Sequence, residues 1–259
     1  MNVQPFAHSR VDCLSRPLSR LAGTRLGDCH LLSASEQGAL EAAVTAPRTF
    51  RPNTDLVREG AREDSVFILL DGWACRYETT REGGRQLPAL LLPGDVANLD
   101  SLMIERVDYG VRSLTHVIVV GLRRDRALAL AAEYPGIARA FTWLALIENV
   151  ILSKWILSVG RRSAKDRLAH LLCELHVRLG AGHDGENSFP FPITQEQLAD
   201  ALGLTSVHVN RTMQQLRGEG LIATANRTMT LTDVAALRRM CGFDPRYLHA
   251  PAAGQASPA

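Results

Sequence analysis

The sequence has no excess of charge of either sign, no paired cysteines and no leader-like apolar run, and each absence removes a class of protein. Lys and Arg number 29 against 27 Asp and Glu, a formal net charge of +2. Charge alone therefore announces no nucleic-acid partner, and a DNA reading has to come from a motif. The distribution is almost as balanced, with 18 basic and 18 acidic residues through position 160 and 11 and 9 beyond it. Five cysteines, Cys13, Cys29, Cys75, Cys173 and Cys241, stand singly with no CxxC pair. That is the pattern of reduced thiols rather than a disulfide framework, and it makes the cytoplasm the expected compartment. The N-terminal stretch has no apolar core of the roughly 7 to 15 residues that a secretory signal needs and reads as a loose leader. The most apolar stretch, 140–157, contains Glu148, Asn149 and Lys154. Three polar groups make crossing hydrocarbon unfavourable, so no membrane partner is expected and the stretch reads as a buried helix. A nucleophile with a paired base, a phosphate-binding glycine loop and clustered metal ligands are all missing, which argues against an enzyme.

What is present suits two modest domains: 259 residues, 46% hydrophobic and 22% charged, enough for two buried cores. Between positions 50 and 122, short aliphatic runs are broken by Gly60, Asp71-Gly72, Gly83-Gly84, Pro93-Gly94 and Gly110. One strand plus one turn per interval is the rhythm of an antiparallel roll or barrel, although a generic β-sandwich would share it. VFILLDGWACRY predicts a hairpin at Asp71-Gly72, and EGGRQLPALLLPGD a second at Gly83-Gly84. Segment 33–44 predicts a short helix with a Ser33/Glu36 capping box. A further helix is expected over 126–133, ended by Pro135-Gly136.

From Ile137 a long helix begins. Ile137, Phe141, Leu144, Glu148, Ile151, Trp155 and Ser158 repeat at spacings of four and three, and Trp143, Ile147, Val150 and Leu157 add apolar surface beside them. A helix apolar over most of its circumference has to be covered on most sides. One face suits the β-roll, and the other asks for a second subunit through Ile137, Phe141, Leu144, Ile151 and Trp155, with an interior helix of a monomer as the alternative. Gly160-Arg161-Arg162-Ser163 then reads as a hinge. Ser163 caps a helix over 164–179 whose Leu168, Leu171, Leu172, Leu175 and Leu179 form one face. AGHDGENS is expected to be a loop and FPFPI an edge strand, because Pro190 and Pro192 cannot donate to a ladder. Residues 246–259 carry nothing to bury and read as a disordered tail.

The most specific signal is QEQLADALGLTSVHVNRTMQ at 195–214. A helix-turn-helix needs a small residue where the helices cross, a glycine at the turn and a branched apolar residue to lock the second helix, and Ala199, Gly203 and Val209 stand at those places. Thr205 can cap the second helix, and Leu198, Leu202, Leu204, Val209, Met213 and Leu216 supply its core. A glycine-turned helix pair also occurs in all-α proteins that never touch DNA. Beyond Gly218-Glu219-Gly220, however, LIATANRTMTL offers two short strands around Ala225-Asn226-Arg227, the wing of a winged helix, with Arg227 at its tip to face a phosphate. With Val209 turned inward, Val207, Arg211 and Gln214 point outward, Asn210 lies beside them and Ser206 at the N-terminal end. Arg211 suits a guanine edge, Gln214 or Asn210 an adenine, and Val207 a thymine methyl. His208 and Gln215 flank the ridge, where phosphate contact is expected, as it is for Arg217.

A β-roll, a long apolar helix, a Gly-Arg-Arg hinge and a winged helix, in this order over about residues 28 to 245, resemble the Crp/Fnr family of transcription regulators. LVREG at 56–60, LLDGWACRY at 69–77, LLPGD at 91–95, GRRSAKDRLAHLL at 160–172 and ITQEQLADALGLTSVHVNR at 193–211 carry the likeness. It implies an α+β chain: a leader (1–27), a jelly-roll-like double-stranded β-helix sensor (28–136), a dimerisation helix (137–160), a winged helix-turn-helix (161–245) and the tail (246–259). It also implies a homodimer whose helices over 205–219, about 34 Å apart, read inverted-repeat double-stranded DNA, with RNA polymerase as a further partner. The rival reading is a small-molecule or second-messenger sensor whose winged helix binds protein.

The family's sensor chemistry does not transfer. Cyclic-nucleotide-binding members resemble one another in a glycine-glutamate pair for the ribose and an arginine-serine pair for the phosphate. Here Leu99 stands where the carboxylate is expected, Val107 and Asp108 stand near the phosphate position, and Arg112-Ser113 aligns with a later arginine. Asp108 would repel a phosphate, so no cyclic nucleotide is expected. Iron-sulfur members share an N-terminal cysteine cluster, and Cys13 with Cys29 cannot supply four thiolates, so no cluster is expected either. His170, Cys173 and His176 share one helical arc and read as packing residues rather than metal ligands. Cys75 reads as a small core residue. The best-known members carry glutamate where Val207 stands, so an altered half-site is expected.

Overall fold

The computed structural model describes residues 20–181 and 187–249. Two sheets form the N-terminal half. One has the order β2 (Asp55–Val57), β6 (Gly110–Ser113), β4 (Ala74–Thr79), β5 (Arg85–Leu91), and the other the order β1 (Arg48–Phe50), β7 (Val117–Arg123), β3 (Ser65–Asp71), all antiparallel. Phe67, Leu69, Val117 and Val119 meet Ala74, Leu91 and Val111 between the sheets. The opposite faces of β3 and β7, through Val66, Ile68, Val120 and Leu122, pack beneath helices. Both faces of β3 are covered, which explains a strand that reads as one aliphatic run instead of alternating.

The hairpin expected at Asp71-Gly72 does not form. The two strands exist, but β3 pairs with β7 while β4 pairs with β5 and β6, so the chain changes sheet at Gly72. Gly72 has φ of 83°, and a Cβ there would lie 2.0 Å from the His116 carbonyl oxygen; a turn signal marks a reversal without saying which partner follows it. The hairpin at Gly83-Gly84 does form, joining β4 to β5.

Helix α1 (Ala34–Ala43) opens with the Ser33/Glu36 capping box, and Glu36 also accepts the Gly136 backbone N–H at 2.7 Å. α2 (Arg124–Glu133) follows β7 directly, and α3 (Pro135–Arg161) runs 27 residues. Pro135 begins α3 rather than ending its predecessor, since a proline's missing N–H costs nothing in a first turn. α3 has the length and apolar character of a membrane span, yet Ile137, Phe141 and Leu144 are buried against the roll and Trp155 is buried against the C-terminal half.

That half comprises α4 (Ala164–Arg178), β8 (Ser188–Pro190), α5 (Gln195–Leu202), α6 (Ser206–Gly218), β9 (Ile222–Ala225), β10 (Thr228–Leu231) and α7 (Val234–Cys241). Ser163 caps α4 by accepting from the Asp166 backbone N–H. β8 is an edge strand, in the order β8-β10-β9, as its prolines require. A single core runs from this half into the roll, where Trp73, Cys75, Leu87 and Leu90 join Leu168, Leu172, Leu198 and Leu202.

Both termini depart from expectation. From Arg20 onward the leader is tied down: Leu21 and Leu26 are buried, and the Arg20 guanidinium donates to the Val44 and Thr45 carbonyls. The tail is anchored at its start, where Tyr247 and Leu248 are buried and the Tyr247 hydroxyl donates to Glu174. Apolar side chains separated by polar spacers, as in PRYL, give no periodic signal although they find a surface to cover. Residues 1–19, with Cys13, the loop core 182–186 and the tail from 250 lie outside the described residues.

Candidate nucleic-acid interface

Local chemistry sets the geometry of the second helix. Thr194 and Gln197 form a capping box on α5. Gly203 ends α5 with φ of 63° and ψ of 44°, the left-handed turn that glycine adopts without strain. Arg167 donates to the Leu202 carbonyl at 3.1 Å, satisfying one of the acceptors that a helix end leaves open. Thr205 then caps α6 by accepting from the His208 backbone N–H. Val209, Thr212, Met213 and Leu216 are buried, locking α6 onto α4 and α5.

On the opposite face Thr205, Ser206, Val207, His208, Asn210, Arg211, Gln214, Gln215 and Arg217 are all exposed. Val207, at 78%, is more exposed than any other large apolar side chain of the C-terminal half among the described residues. The flank is partly braced: Arg217 donates to the Thr224 hydroxyl of β9, Gln215 to Glu219, and Lys165 of α4 holds Glu219 from below. Asn226 and Arg227 turn the wing with φ of 49° and 60°, the two-residue turn that suits strand twist. Arg227 is exposed at its tip, and its guanidinium donates to the Pro192 carbonyl at 3.2 Å.

The residues assigned to subunit contact need correcting. Ile137, Phe141, Leu144 and Trp155 are buried inside their own chain and Ile151 is half-buried against the C-terminal core. The four-and-three stripe is therefore the helix's internal face, facing the roll over its first half and α4 over its second. The uncovered apolar residues of α3 are Leu146 at 61% exposure, Leu152 at 41%, Ile156 at 64% and Leu157 at 46%. With Thr142, Ala145 and Asn149, also exposed, Leu152 and Ile156 repeat every seven residues as 142-149-156 and 145-152, and Leu146 and Leu157 lie beside them, a spacing compatible with coiled-coil packing. The sequence signal was present but lay beside a stronger one, and periodicity cannot say which stripe the same chain covers.

The crevice between the roll and α3 borders segment 94–99, where the ribose contact was sought, and it is occupied by the protein's own side chains. Arg76 donates to the Ala97 carbonyl at 2.9 Å and pairs with Glu148 of α3 at 2.9 Å, with its guanidinium 5.0 Å from the Tyr109 ring centre. Burial pushes the Glu148 carboxyl above the usual range, against the pull of Arg76. Leu99 and Val107 are buried and Asp108 is exposed, while Arg112 is held by Asp55 at 2.7 Å.

Of the histidine and cysteine arc on α4, His170 lies against Phe243 and Tyr247, His176 bonds Asn187, and Cys173 is buried in the C-terminal core. Cys75 is buried, with its thiol pushed up to about 12 by burial.

Comparison with known proteins covers both halves. A family model described as a Crp-like helix-turn-helix domain matches residues 166–240, and one described as a cyclic nucleotide-binding domain matches 47–134. The transcriptional activator protein FnrL of Cereibacter sphaeroides is 28% identical over 232 residues, 85% of this chain and 93% of that protein. The transcriptional activatory protein AadR of Rhodopseudomonas palustris is 30% identical over 173 residues, 67% of this chain and 72% of that protein. The solved structure of FixK2 from Bradyrhizobium japonicum superposes with a TM-score of 0.70 at 23% identity, covering 75% of this chain and 96% of that one.

Proposed function

The chain belongs to the Crp/Fnr family of DNA-binding transcription regulators, and from that premise we propose that it acts in the cytoplasm as a homodimer whose two α6 helices read one inverted-repeat site. It acts by binding rather than by catalysis. The observation that carries the reading is the ridge of Val207, Arg211 and Gln214, which rises exposed from a well-packed helix. Arg211 presents a planar fork to a guanine edge, Gln214 and Asn210 match an adenine, and Val207 reads a thymine methyl. His208, Gln215, Arg217 and Arg227 neutralise phosphates on either side, so affinity falls steeply with salt. The seam of Leu146, Leu152 and Ile156 joins the subunits. Two relatives carry activator or activatory names, which supports RNA polymerase as the partner of the DNA-bound dimer.

The effector is not a cyclic nucleotide. Leu99 offers the ribose no carboxylate, and Arg76, which contacts segment 94–99 from β4, is committed to Glu148. A ligand phosphate bound to Arg76 would have to compete with that pair.

Selection from random duplexes tests the assignment. An inverted repeat should emerge, and Arg211→Ala should weaken the selected site by about 1 to 3 kcal/mol while affecting random DNA less. Equal losses on both would remove Arg211 as a base reader. Enrichment of no sequence would favour the rival in which the winged helix binds protein.

A further inference from the structure

The end of α3 meets the helix-turn-helix at the turn itself. Val159, in the last turn of α3, lies against Gly203, where a Cβ would come within 3.2 Å of the Val159 Cγ1. Arg167 of α4 spans the same junction. Its Nε donates to the carbonyl of Arg162, just past the end of α3, at 3.0 Å, and its Nη1 to the carbonyl of Leu202, the last residue of α5, at 3.1 Å. Both acceptors belong to helix C-termini, where carbonyls lack intrahelical donors and carry partial negative charge, so a cation is well placed between them. A planar guanidinium fork serves two such acceptors at once, which the point charge of a lysine does not. The hinge has no comparable hold at Gly160, where a Cβ would meet nothing within 4 Å. On the side of the roll, Arg85 pairs with Asp200 of α5 and Gln86 donates to the Ala201 carbonyl.

We propose, on the basis of the dimer reading above, that Arg167 is a positioning residue that fixes the angle between α3 and α6, and thereby the spacing of half-sites that the dimer accepts. In that reading α3 carries the contact between subunits and α6 carries the base-reading ridge, so the separation of the two ridges is set by whatever holds α6 relative to α3. Arg167 holds the end of α3 to the end of α5, and α6 begins at Ser206, three residues beyond Gly203. Each base pair inserted between half-sites moves the second one by about 3.4 Å and turns it by about 35°. A stiff junction fits one spacer and loses contacts on the others. A loose junction lets each α6 swing to meet several. The guanidinium of Arg167 is half-buried and spent on backbone carbonyls, so it acts through the placement of Arg211 and its neighbours and not by touching DNA itself.

The test measures binding of the full-length protein to the inverted repeat selected from random duplexes and to versions with the spacer one and two base pairs shorter or longer. The readout is the ratio of dissociation constants between the altered and the selected spacer, which does not depend on the fraction of protein that is folded. Wild type should favour one spacer. Arg167→Ala should shrink that ratio about tenfold, the worth of one lost hydrogen bond to a charged group. Arg167→Lys should shrink it nearly as much, because charge without the fork leaves one carbonyl unserved. Val159→Ala, a half-buried truncation that leaves the fold intact, should shrink it less and decides the matter if the arginine variants do not fold. A loss of mere stability would weaken every duplex alike and leave the ratio where it was. A wild type without spacer preference would remove the dimer reading and this inference with it. A wild-type preference that persists unchanged in Arg167→Ala and Val159→Ala would overturn this inference alone.

Discussion

Val207 is an aliphatic side chain in a position that water reaches freely, flanked by neighbours able to hydrogen-bond to bases. Such a residue adds nothing to folding, so its use lies in contact with something apolar outside the chain, and the thymine methyl is the apolar feature of a major groove. His170 presents the opposite case, a titratable ring deep among aromatics. Burial, reinforced by Arg162 and Lys154, lowers its pKa to about 4, whereas an unfolded histidine titrates near ~6.5. Between those values the unfolded chain binds the extra proton. Stability is thus complete above about pH 6.5 and declines as pH falls toward 4, by about 3 kcal/mol in all. Urea unfolding across that range should show the decline, and His170→Phe should flatten it; an unchanged slope in the variant would assign the acid sensitivity to other groups.

At the scale of the element, α3 serves three surfaces at once. Its N-terminal half fills the roll, its C-terminal half braces α4 through Trp155, and the seam of Leu146, Asn149, Leu152 and Ile156 stays open. An asparagine among the apolar seam residues suits register selection in a two-stranded coil. Placing aspartate at both Leu146 and Ile156 should yield a monomer by sedimentation, with dimer affinity weakened at least ~100-fold, about 3 kcal/mol. The same change at Leu144 should unfold the roll instead of separating subunits, because that side chain is buried within its own chain. A dimer that survives the double change would place the interface elsewhere. The helix and its apolar excess are legible in the sequence. The division of its surface is not, since two stripes roughly 100° apart both satisfy a heptad-like count.

At the scale of the molecule, the winged helix is docked on the roll. Arg178 of α4 reaches Asp95 of the roll and Glu174 of its own helix, and also donates to the Leu90 carbonyl. Glu174 accepts from Trp155 of α3 and from Tyr247 near the C-terminus. Burial alone would raise the Asp95 carboxyl, but Arg178 and Arg25 outweigh it and hold it below the ordinary value. A second, more exposed contact joins Arg85 of β5 to Asp200 of α5. Removing Arg178 would leave the buried Glu174 carboxylate without a cation and Asp95 with Arg25 alone, so Arg178→Ala should cost about 3 to 5 kcal/mol of stability. Arg85→Ala, at a wetter pair, should cost under about 1 kcal/mol. Urea titration of both variants checks the ranking, and equal effects would mean that the buried network does not join the two halves.

The amino-acid order alone determined everything governed by local rules. The capping boxes at Ser33 and Thr194, the Gly203 turn, the wing at Asn226-Arg227 and the outward ridge of α6 follow from which few residues satisfy a helix end or a left-handed backbone. Tertiary structure decided what depends on contacts between distant segments: that β3 and β4 part at Gly72, that Arg76 closes the crevice against Glu148, and that Tyr247 anchors the tail. Periodicity reveals that a face is apolar or a turn is tight. Only the assembled chain selects among the surfaces that could cover it, because burial is non-directional and several partners satisfy the same pattern.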